Sequence, residues 1–410
     1  MFMDQVSKYI KDHWDDTTRF NPEDSGNLIG LPEKYNVPCL RGSFQELYYW
    51  DTYFTCRGLA LQGRKELVRS NIKNFFFELK RFGFIPNGSR TFYLNRSQPP
   101  FLGALIELML ELYPEDMEFR VEAFDALKQE ISFWDSRRLD METGLYHYGS
   151  DPSEAVIEEF FQVAVIRRRI SPQIHDEKLR RKISLATLAE AESGWDFTPR
   201  FEGNCQDHAA IDLNSLIFLS LNVMAKLAPD VRSDAAIWQN KAEKLRSAIR
   251  KYCRRDDGVF LDFNLCKKRL SKVLSAASLY PLWTGLADEA EAAAARNICC
   301  AELEYPFGIS ATVKLPVSNS QQWEYPNAWP CMQLISFEAL ARYGYMDDAA
   351  RIAQKYVDIV MKNFIASGDL WEKYNAVDGS VKTAEEYKTP AMMGWSAGTY
   401  LAAKDFLRMK

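Results

Sequence analysis

The segment AESGWDFTPR, residues 191–200, marks a point where a helix ends in an aromatic turn. Residues 183–191 carry apolar side chains at helical spacing, and Gly194 and Pro199 then stop that helix and delay the next one. The turn holds Asp196 between two aromatic residues. Because aromatic surface solvates a carboxylate poorly, the pKa of Asp196 should rise, which suits a general acid. The same pattern also fits a helix C-cap with aromatic side chains folded into the core.

Apolar side chains recur at helical spacing through the rest of the chain, and glycines separate the helical segments at fairly regular intervals. Glycines beside apolar or aromatic residues recur at intervals of 50 to 64 residues, at positions 88, 144, 194, 258, 308 and 368. Each interval fits two helices with their connections. Apolar spacing predicts helices over residues 50–61, 65–81, 100–112, 116–134, 154–169, 208–227, 232–253, 287–301, 329–343 and 346–366.

Strand-like alternation is confined to short pieces, at residues 91–95, 144–148, 258–264 and 369–374. They are too short and too far apart for a sheet-based domain, so we predict small β-hairpins in the loops. The predicted fold class is all-α, with six helical hairpins that close into an (α/α)6 barrel, or toroid. No Pro/Gly/Ser-rich linker divides the chain, which predicts one domain over residues 1–410, with residues 1–36 as a helical and loop lead-in.

The composition argues against several kinds of partner. The formal net charge is -5 without a basic block, so we expect no nucleic-acid partner. No apolar run reaches the roughly 18 residues that span a bilayer, so we expect no membrane partner. Residues 1–16 mix charged and apolar side chains, which is typical of an amphipathic helix and not of a signal peptide. The four histidines are scattered, so we expect no metal and no cofactor.

The number and spacing of the cysteines predict a cellular compartment. The chain has eight of them and no CxxC pair. In a chain of 410 residues this usage is typical of reduced, mostly buried thiols, which predicts a cytoplasmic location. The sequence does not indicate an oligomeric state.

Five blocks combine aromatic, amide and charged residues within turns. They are VPCLRGSFQELYYWD at residues 37–51, PNGSRTFYLNRSQPP at 86–100, ESGWDF at 192–197, QWEYPNAW at 322–329, and EKYN at 372–375 followed by EY at 386–387 and GW at 394–395. In this order they resemble the signature blocks of the trehalase family, an inverting family of glycoside hydrolases built on a six-hairpin α/α barrel. The resemblance spans residues 37–395, nearly the whole chain.

The resemblance implies hydrolysis of a small carbohydrate, an α-linked disaccharide or small glucoside, with trehalose as the first expectation. Inverting hydrolysis needs a carboxylic acid that protonates the leaving oxygen and a carboxylate about 6.5–9.5 Å away that activates water. The blocks that match the family assign these roles to Asp196 and Glu386. Glu385 is the neighbouring alternative for the base, and without the resemblance the pair Glu385-Glu386 would be two solvated surface charges.

Sugar recognition uses planar hydrogen-bonding groups and aromatic surface. The predicted substrate-binding residues are Arg41, Phe44, Trp50, Asp51, Asn87, Arg96, Gln98, Gly194, Trp195, Gln322, Trp323, Asn327, Glu372 and Trp395. Arg96 lies in a rigid turn, which favours a pocket arginine over an ordinary surface arginine. Trp323 also fits a packing role, and Tyr48 and Tyr49 are predicted to be packing residues.

The chain departs from the family pattern on the side that should hold the leaving group. The family carries arginine directly before the phenylalanine of the first block, whereas Ser43 precedes Phe44 here and Arg41 lies two positions earlier. The family's arginine-proline-glutamate element corresponds to SDPSE at residues 150–154, which lacks the arginine, and its glycine-rich lid corresponds to GSVKTA at 379–384. An α-glycosidase of different substrate specificity on the same barrel is therefore the first alternative.

Three further functional classes make distinct demands on the sequence. A non-catalytic sugar-binding barrel predicts the loss of a catalytic carboxylate, whereas Asp196 and Glu386 are both present. A phosphorylase requires a basic phosphate site in place of the second carboxylate. A structural helical-repeat scaffold predicts polar helix ends without clustered tryptophan, aspartate and arginine residues. Hydrolysis is therefore the leading hypothesis.

Overall fold

The computed structural model of the chain describes residues 4–168, 170–316, 321–383 and 388–409, so the predicted base Glu386 lies outside the described residues. The helices are α1 (Gln5–His13), α2 (Tyr49–Leu61), α3 (Lys65–Phe82), α4 (Leu102–Leu112), α5 (Met117–Arg137), α6 (Glu154–Arg168), α7 (Glu177–Ser193), α8 (Ile211–Leu227), α9 (Ala235–Tyr252), α10 (Tyr280–Trp283), α11 (Glu289–Glu302), α12 (Pro330–Arg342), α13 (Met346–Ser367) and α14 (Gly394–Met409).

Six of these helices form a closed inner ring. In order around the ring they are α2, α4, α8, α10, α12 and α14, and α14 packs against α2 to close it. Outside the ring, α3, α5 and α13 each lie across two neighbouring inner helices, while α9 packs along α8. The N-terminal helix α1 adds to this outer layer, since Tyr400 of α14 donates to the Asp4 carboxylate at 3.0 Å and the Tyr9 ring contacts Phe364 of α13. The predicted all-α barrel is confirmed.

The two layers differ in how their side chains are buried. Nearly every residue of α8 is buried, whereas the outer helix α9 buries only Ala242, Leu245 and Ile249. A helix enclosed on all sides must be apolar all round, while an outer helix needs only one apolar stripe. For the same reason the segment Ile211–Val231 is long and apolar enough to cross a membrane, yet 83% of its most apolar stretch of 18 residues is buried inside the protein.

The strands are two residues long and pair antiparallel in the loops. They are β1 (Thr18–Arg19), β2 (Tyr35–Asn36), β3 (Leu139–Asp140), β4 (Leu145–Tyr146), β5 (His208–Ala209), β6 (Phe263–Asn264), β7 (Arg269–Leu270), β8 (Glu304–Tyr305), β9 (Gly308–Ile309), β10 (Asn327–Ala328) and β11 (Tyr374–Asn375). The predicted strand-like pieces at 144–148, 258–264 and 369–374 overlap β4, β6 and β11. The piece at 91–95 forms a 3-10 turn over Thr91–Tyr93 instead.

Two inner helices were absent from the predicted set. The helix α10 is only four residues long and has Pro281 in its first turn, so it carries too little periodicity to be recognised. The helix α14 contains Gly394 and Gly398, and glycine disfavours a helix interior by roughly 1 kcal/mol. The structure shows why glycine stands there. A Cβ at Gly398 would lie 1.8 Å from the carbonyl oxygen of Phe54, and Gly58 of α2 faces the same crossing.

The Gly398→Ala variant is expected to be less stable than the wild type by about 1–3 kcal/mol or more, because the added methyl group forces α14 away from α2. Urea denaturation followed by circular dichroism measures the loss. Gly394→Ala, at the start of the same helix, is the matched control, since its Cβ would lie 3.2 Å from the nearest atom of Pro38 and requires only a small shift. Equal stability of the two variants would contradict a close helix crossing at Gly398.

Candidate active site

A pocket opens at the end of the barrel where the loops that precede the inner helices meet. The pocket and its open mouth together enclose about 590 Å³. The lining residues are Phe44, Tyr48, Trp50, Asp51, Asn87, Tyr93, Arg96, Gln98, Ala191, Gly194, Asp196, Gln322, Trp323, Trp329, Glu372, Met392 and Trp395.

Most of the predicted site residues line this pocket. They are Phe44, Trp50, Asp51, Asn87, Arg96, Gln98, Gly194, Asp196, Gln322, Trp323, Glu372 and Trp395. Trp195 and Asn327 are buried behind the lining. Arg41 is exposed and does not line the pocket. The structure does not describe Glu386, so its role stays a prediction.

The prediction of site residues missed several of the lining side chains. Tyr48, expected to pack in the core, reaches the pocket, and its hydroxyl group lies 2.9 Å from that of Tyr93 and donates to Glu46 at 2.7 Å. Trp329 and Met392 also line the pocket. Tyr48, Tyr93 and Trp329 belong to the sequence blocks that predicted the site, so membership of a block was a usable signal for them.

Asp196 lies in a turn whose backbone is left-handed on both sides. Gly194 ends α7 at φ 71°, and a Cβ there would lie 2.8 Å from the ring of Trp50, so the position requires glycine. Phe197 has φ 57°, which non-glycine residues seldom adopt. Its N–H donates to Oε2 of Glu190 at 3.1 Å. The surroundings therefore hold Asp196 in a strained turn, as functional sites often do.

The electrostatic environment of Asp196 favours its neutral form. Burial raises the pKa of Asp196 to about 6, against the opposing effect of the Arg96 guanidinium, and the carboxylates of Glu190 and Glu372 add to the rise. Its Oδ1 atom is buried and has no hydrogen-bond partner within the described part of the chain. A carboxyl group of this pKa, with an oxygen available at a pocket wall, can carry a proton to a ligand near neutral pH.

Glu192 connects the turn that carries Asp196 to the loop that carries Arg96. Its buried carboxylate accepts the N–H of Ser97 at 2.9 Å and the N–H of Gly149 at 2.7 Å. Arg138 donates to both of its oxygens, at 2.8 and 3.0 Å. The hydrogen bonds and the ion pair offset the desolvation cost of the buried carboxylate, and they tie the two loops to the end of α7.

Behind the turn, Arg200 forms a second buried network. It donates to Asp212 at 2.7 and 2.8 Å and to Asp262 with two bonds of 2.7 Å. Its guanidinium group also lies 4.6 Å from the ring of Trp195. Asp212 belongs to α8, so the network ties the turn and Trp195 to the inner ring of the barrel.

Four tryptophans form an aromatic surface in the pocket. The rings of Trp323 and Trp329 stack in parallel with centroids 3.8 Å apart, Trp50 lies 5.6 Å from Trp323, and Trp395 meets Trp329 edge-on at 5.6 Å. Such surface can bind the apolar face of a sugar ring, and the surrounding amides and carboxyl groups can bind its hydroxyl groups.

Two more carboxyl groups line the pocket. Burial raises the pKa of Asp51 to about 8, and the nearby Glu372 adds to the rise. Asp51 is therefore a hydrogen-bond donor at neutral pH. Glu372 is paired with the buried Lys373 at 2.7 Å, and the ammonium group of Lys373 lies over the Trp329 ring. The pocket thus combines donors and acceptors, which a polyhydroxylated ligand requires.

The profile of the trehalase family matches residues 2–407. The chain therefore belongs to the trehalase family. It is a glycoside hydrolase that acts on a small carbohydrate, as the sequence blocks predicted. It is 30% identical to a putative periplasmic trehalase of Salmonella typhi over 98% of this chain and 73% of that protein, and 29% identical to a periplasmic trehalase of Pseudomonas aeruginosa over 97% and 75%.

The structure of the neutral trehalase from Saccharomyces cerevisiae resembles this one with a TM-score of 0.79 at 27% identity. The match covers 99% of this chain and 80% of that chain. The agreement extends over the complete ring of inner helices, so this trehalase family member carries the helical barrel of a trehalase.

The prediction of a cytoplasmic location is wrong, because the trehalase relatives from Salmonella and Pseudomonas are named as periplasmic enzymes. The error came from the cysteines. Cys56, Cys253 and Cys299 are free and buried, and burial raises the pKa of each thiol. Since the thiolate is the reactive form, such thiols stay unreacted in an oxidising compartment too. Buried free cysteines therefore do not identify a compartment.

Proposed function

We propose that this trehalase family member hydrolyses trehalose with inversion, with Asp196 as the general acid. The observation that carries the proposal is the carboxyl group of Asp196, buried at the pocket wall with a pKa of about 6 and with an Oδ1 atom that has no hydrogen-bond partner among the described residues. The trehalase names of relatives that align over most of their length support the substrate. Residues 1–410 would act as one catalytic domain.

The reaction is a single displacement. Asp196 gives its proton to the glycosidic oxygen while the bond between that oxygen and C1 breaks. A water oxygen bonds to C1 from the opposite face, and the proton of that water passes to Glu386 as general base. The products are free glucose from the leaving side and glucose in the β-configuration from the side that was attacked.

The sugar that is attacked would be held by the pocket lining. We assign its aromatic contacts to Phe44, Trp50, Trp323 and Trp395, its hydrogen bonds to Asp51, Asn87, Arg96, Gln98, Gln322 and Glu372, and support of the pocket to Gly194, Trp195 and Asn327. The exposed position of Arg41 argues against a contact with the sugar.

A second candidate is an α-glucosidase with another small substrate. It is favoured by the departures on the leaving-group side, where Ser43 replaces the family arginine and SDPSE at 150–154 lacks one. Both candidates use the same acid and base, so they differ only in the group that leaves.

Incubation with trehalose and a panel of α-linked glucose disaccharides tests the proposal. We expect glucose from trehalose, with the β-anomer as the first-formed product in proton NMR spectra recorded within the first turnovers. Turnover of another disaccharide without trehalose cleavage would favour the second candidate. Retention of the α-configuration would rule out the single displacement.

A further inference from the structure

A second cavity adjoins the pocket on the other side of the acid. It encloses about 660 Å³ with its mouth included, and it shares Arg96, Ala191, Asp196 and Gln322 with the first pocket. Because Asp196 lines both cavities, a glycosidic oxygen that received its proton would have one sugar in the first pocket and its leaving group in the second cavity. We call this second cavity the leaving-group cavity.

The helical hairpin α6–α7 builds the outer wall of the leaving-group cavity. Phe160, Val163 and Arg167 of α6 line it, and their spacing of three and four residues places them on one face of the helix. Thr187 of α7 and Phe197 of the acid turn complete the wall.

Contacts along the hairpin fix the direction in which this face of α6 points. Arg181 of α7 pairs with Glu154 of α6 at 2.7 Å, and Arg168 of α6 pairs with Glu190 of α7 at 2.6 Å. The largely buried Arg168–Glu190 pair anchors the end of the hairpin next to Arg167, whereas the exposed Arg181–Glu154 pair contributes little to the position of the hairpin.

Arg96 connects the two cavities. Its guanidinium group lies 5.0 Å from the ring of Tyr93 in the first pocket and 5.3 Å from the ring of Phe160 in the leaving-group cavity. The leaving-group cavity therefore presents two guanidinium groups and a row of aromatic and aliphatic side chains. Guanidinium groups donate paired hydrogen bonds to vicinal oxygens, and aromatic rings pack on the apolar face of a sugar.

We propose that Arg167 is a specificity-determining residue that binds the hydroxyl groups of a second sugar ring as the leaving group. This inference rests on the proposed hydrolase function. The arginines that the family pattern carries are absent at Ser43 and in SDPSE, residues 150–154, whereas Arg167 of α6 lines the leaving-group cavity together with Asp196.

The test compares two substrates with one attacked sugar and different leaving groups. Trehalose fills the leaving-group cavity, whereas α-glucosyl fluoride places only fluoride there. In Arg167→Ala, kcat/KM for trehalose is expected to fall about 10- to 100-fold, as loss of a charge-assisted hydrogen bond predicts, while kcat/KM for the fluoride stays within about twofold. Arg167→Lys should lie between, because it keeps the charge and loses the planar fork.

Arg181→Ala is the matched control, since Arg181 is an exposed arginine of the same hairpin that lines neither cavity. Equal losses on both substrates in Arg167→Ala would overturn the inference, because they would place the effect at the acid or the attacked sugar. Activity of Arg167→Ala equal to that of Arg181→Ala on trehalose would also overturn it. Failure of the wild type on both substrates is a separate result, which rejects the proposed hydrolase function itself.

Discussion

Replacing Asp196 with asparagine is expected to lower kcat/KM for trehalose by about 10²- to 10⁴-fold, the contribution typical of a general acid. Asparagine has nearly the same shape, and the Oδ1 atom that it retains has no hydrogen-bond partner to lose within the described residues. The fold should therefore survive, and circular dichroism provides the check. The acid is not needed to expel fluoride, so α-glucosyl fluoride should lose much less activity than trehalose.

The pH dependence of the same variant gives a second readout. Since Asp196 must be protonated and its pKa is about 6, wild-type kcat/KM should fall as the pH rises above 6. Asp196→Asn should lack this basic limb. A basic limb that persists unchanged in Asp196→Asn would show that another group donates the proton.

The stability of Asp196→Asn should change in the opposite direction to its activity. The folded-state pKa of Asp196 lies above the ordinary 3.8, so the stabilisation present at low pH is lost as the pH rises to about 6. Asparagine cannot ionise and does not incur this loss. Asp196→Asn is therefore expected to melt at or above the wild-type Tm at pH 7.5, and a lower Tm would contradict the assignment of a destabilised carboxylate.

Most of the helices were predictable, because their apolar spacing and the glycines at their ends follow local rules. Outer helices such as α9 show an amphipathic stripe, and glycines such as Gly194 and Gly368 end α7 and α13 with positive φ. The helix α14 was not predictable from propensity, because Gly398 is required by contact with Phe54, a residue more than 300 positions away in the sequence. Local rules do not include that contact.

The site was predictable to the extent that its residues lie in recognisable blocks. Burial of the turn that carries Asp196 followed from its aromatic neighbours, and the raised pKa agrees with the expectation. The buried partners Arg138 and Arg200 were not predictable as such, since an arginine in a sequence is usually a surface residue. Their carboxylate partners are distant in the chain, and the fold alone brings them together. Arg167 was likewise not predictable as a site residue, because it lies at the basic end of a predicted helix, where an arginine is usually exposed.

Replacing Glu386 with glutamine is expected to reduce kcat/KM for trehalose by about 10²- to 10⁴-fold, because glutamine cannot accept the proton of the attacking water. Glu385→Gln is the matched control, with the same chemical change one position away, and it should retain most of the activity. Among the carboxyl groups that the structure describes, Asp51 is a poor alternative base because burial raises its pKa to about 8. Glu372 is occupied by its ion pair with Lys373.

Azide distinguishes a lost base from a damaged pocket. Azide is a nucleophile that needs no deprotonation, so it can attack C1 from the face that water uses while Asp196 still protonates the leaving oxygen. With Glu386→Gln, added azide should restore the release of glucose from trehalose and form β-glucosyl azide, which NMR identifies. Glu372→Gln should not be rescued, because its loss would alter sugar binding and leave the base intact. If azide rescued Glu385→Gln or Glu372→Gln but not Glu386→Gln, the role of general base would belong to the rescued residue and not to Glu386. The assignment of Asp196 as the acid would stand.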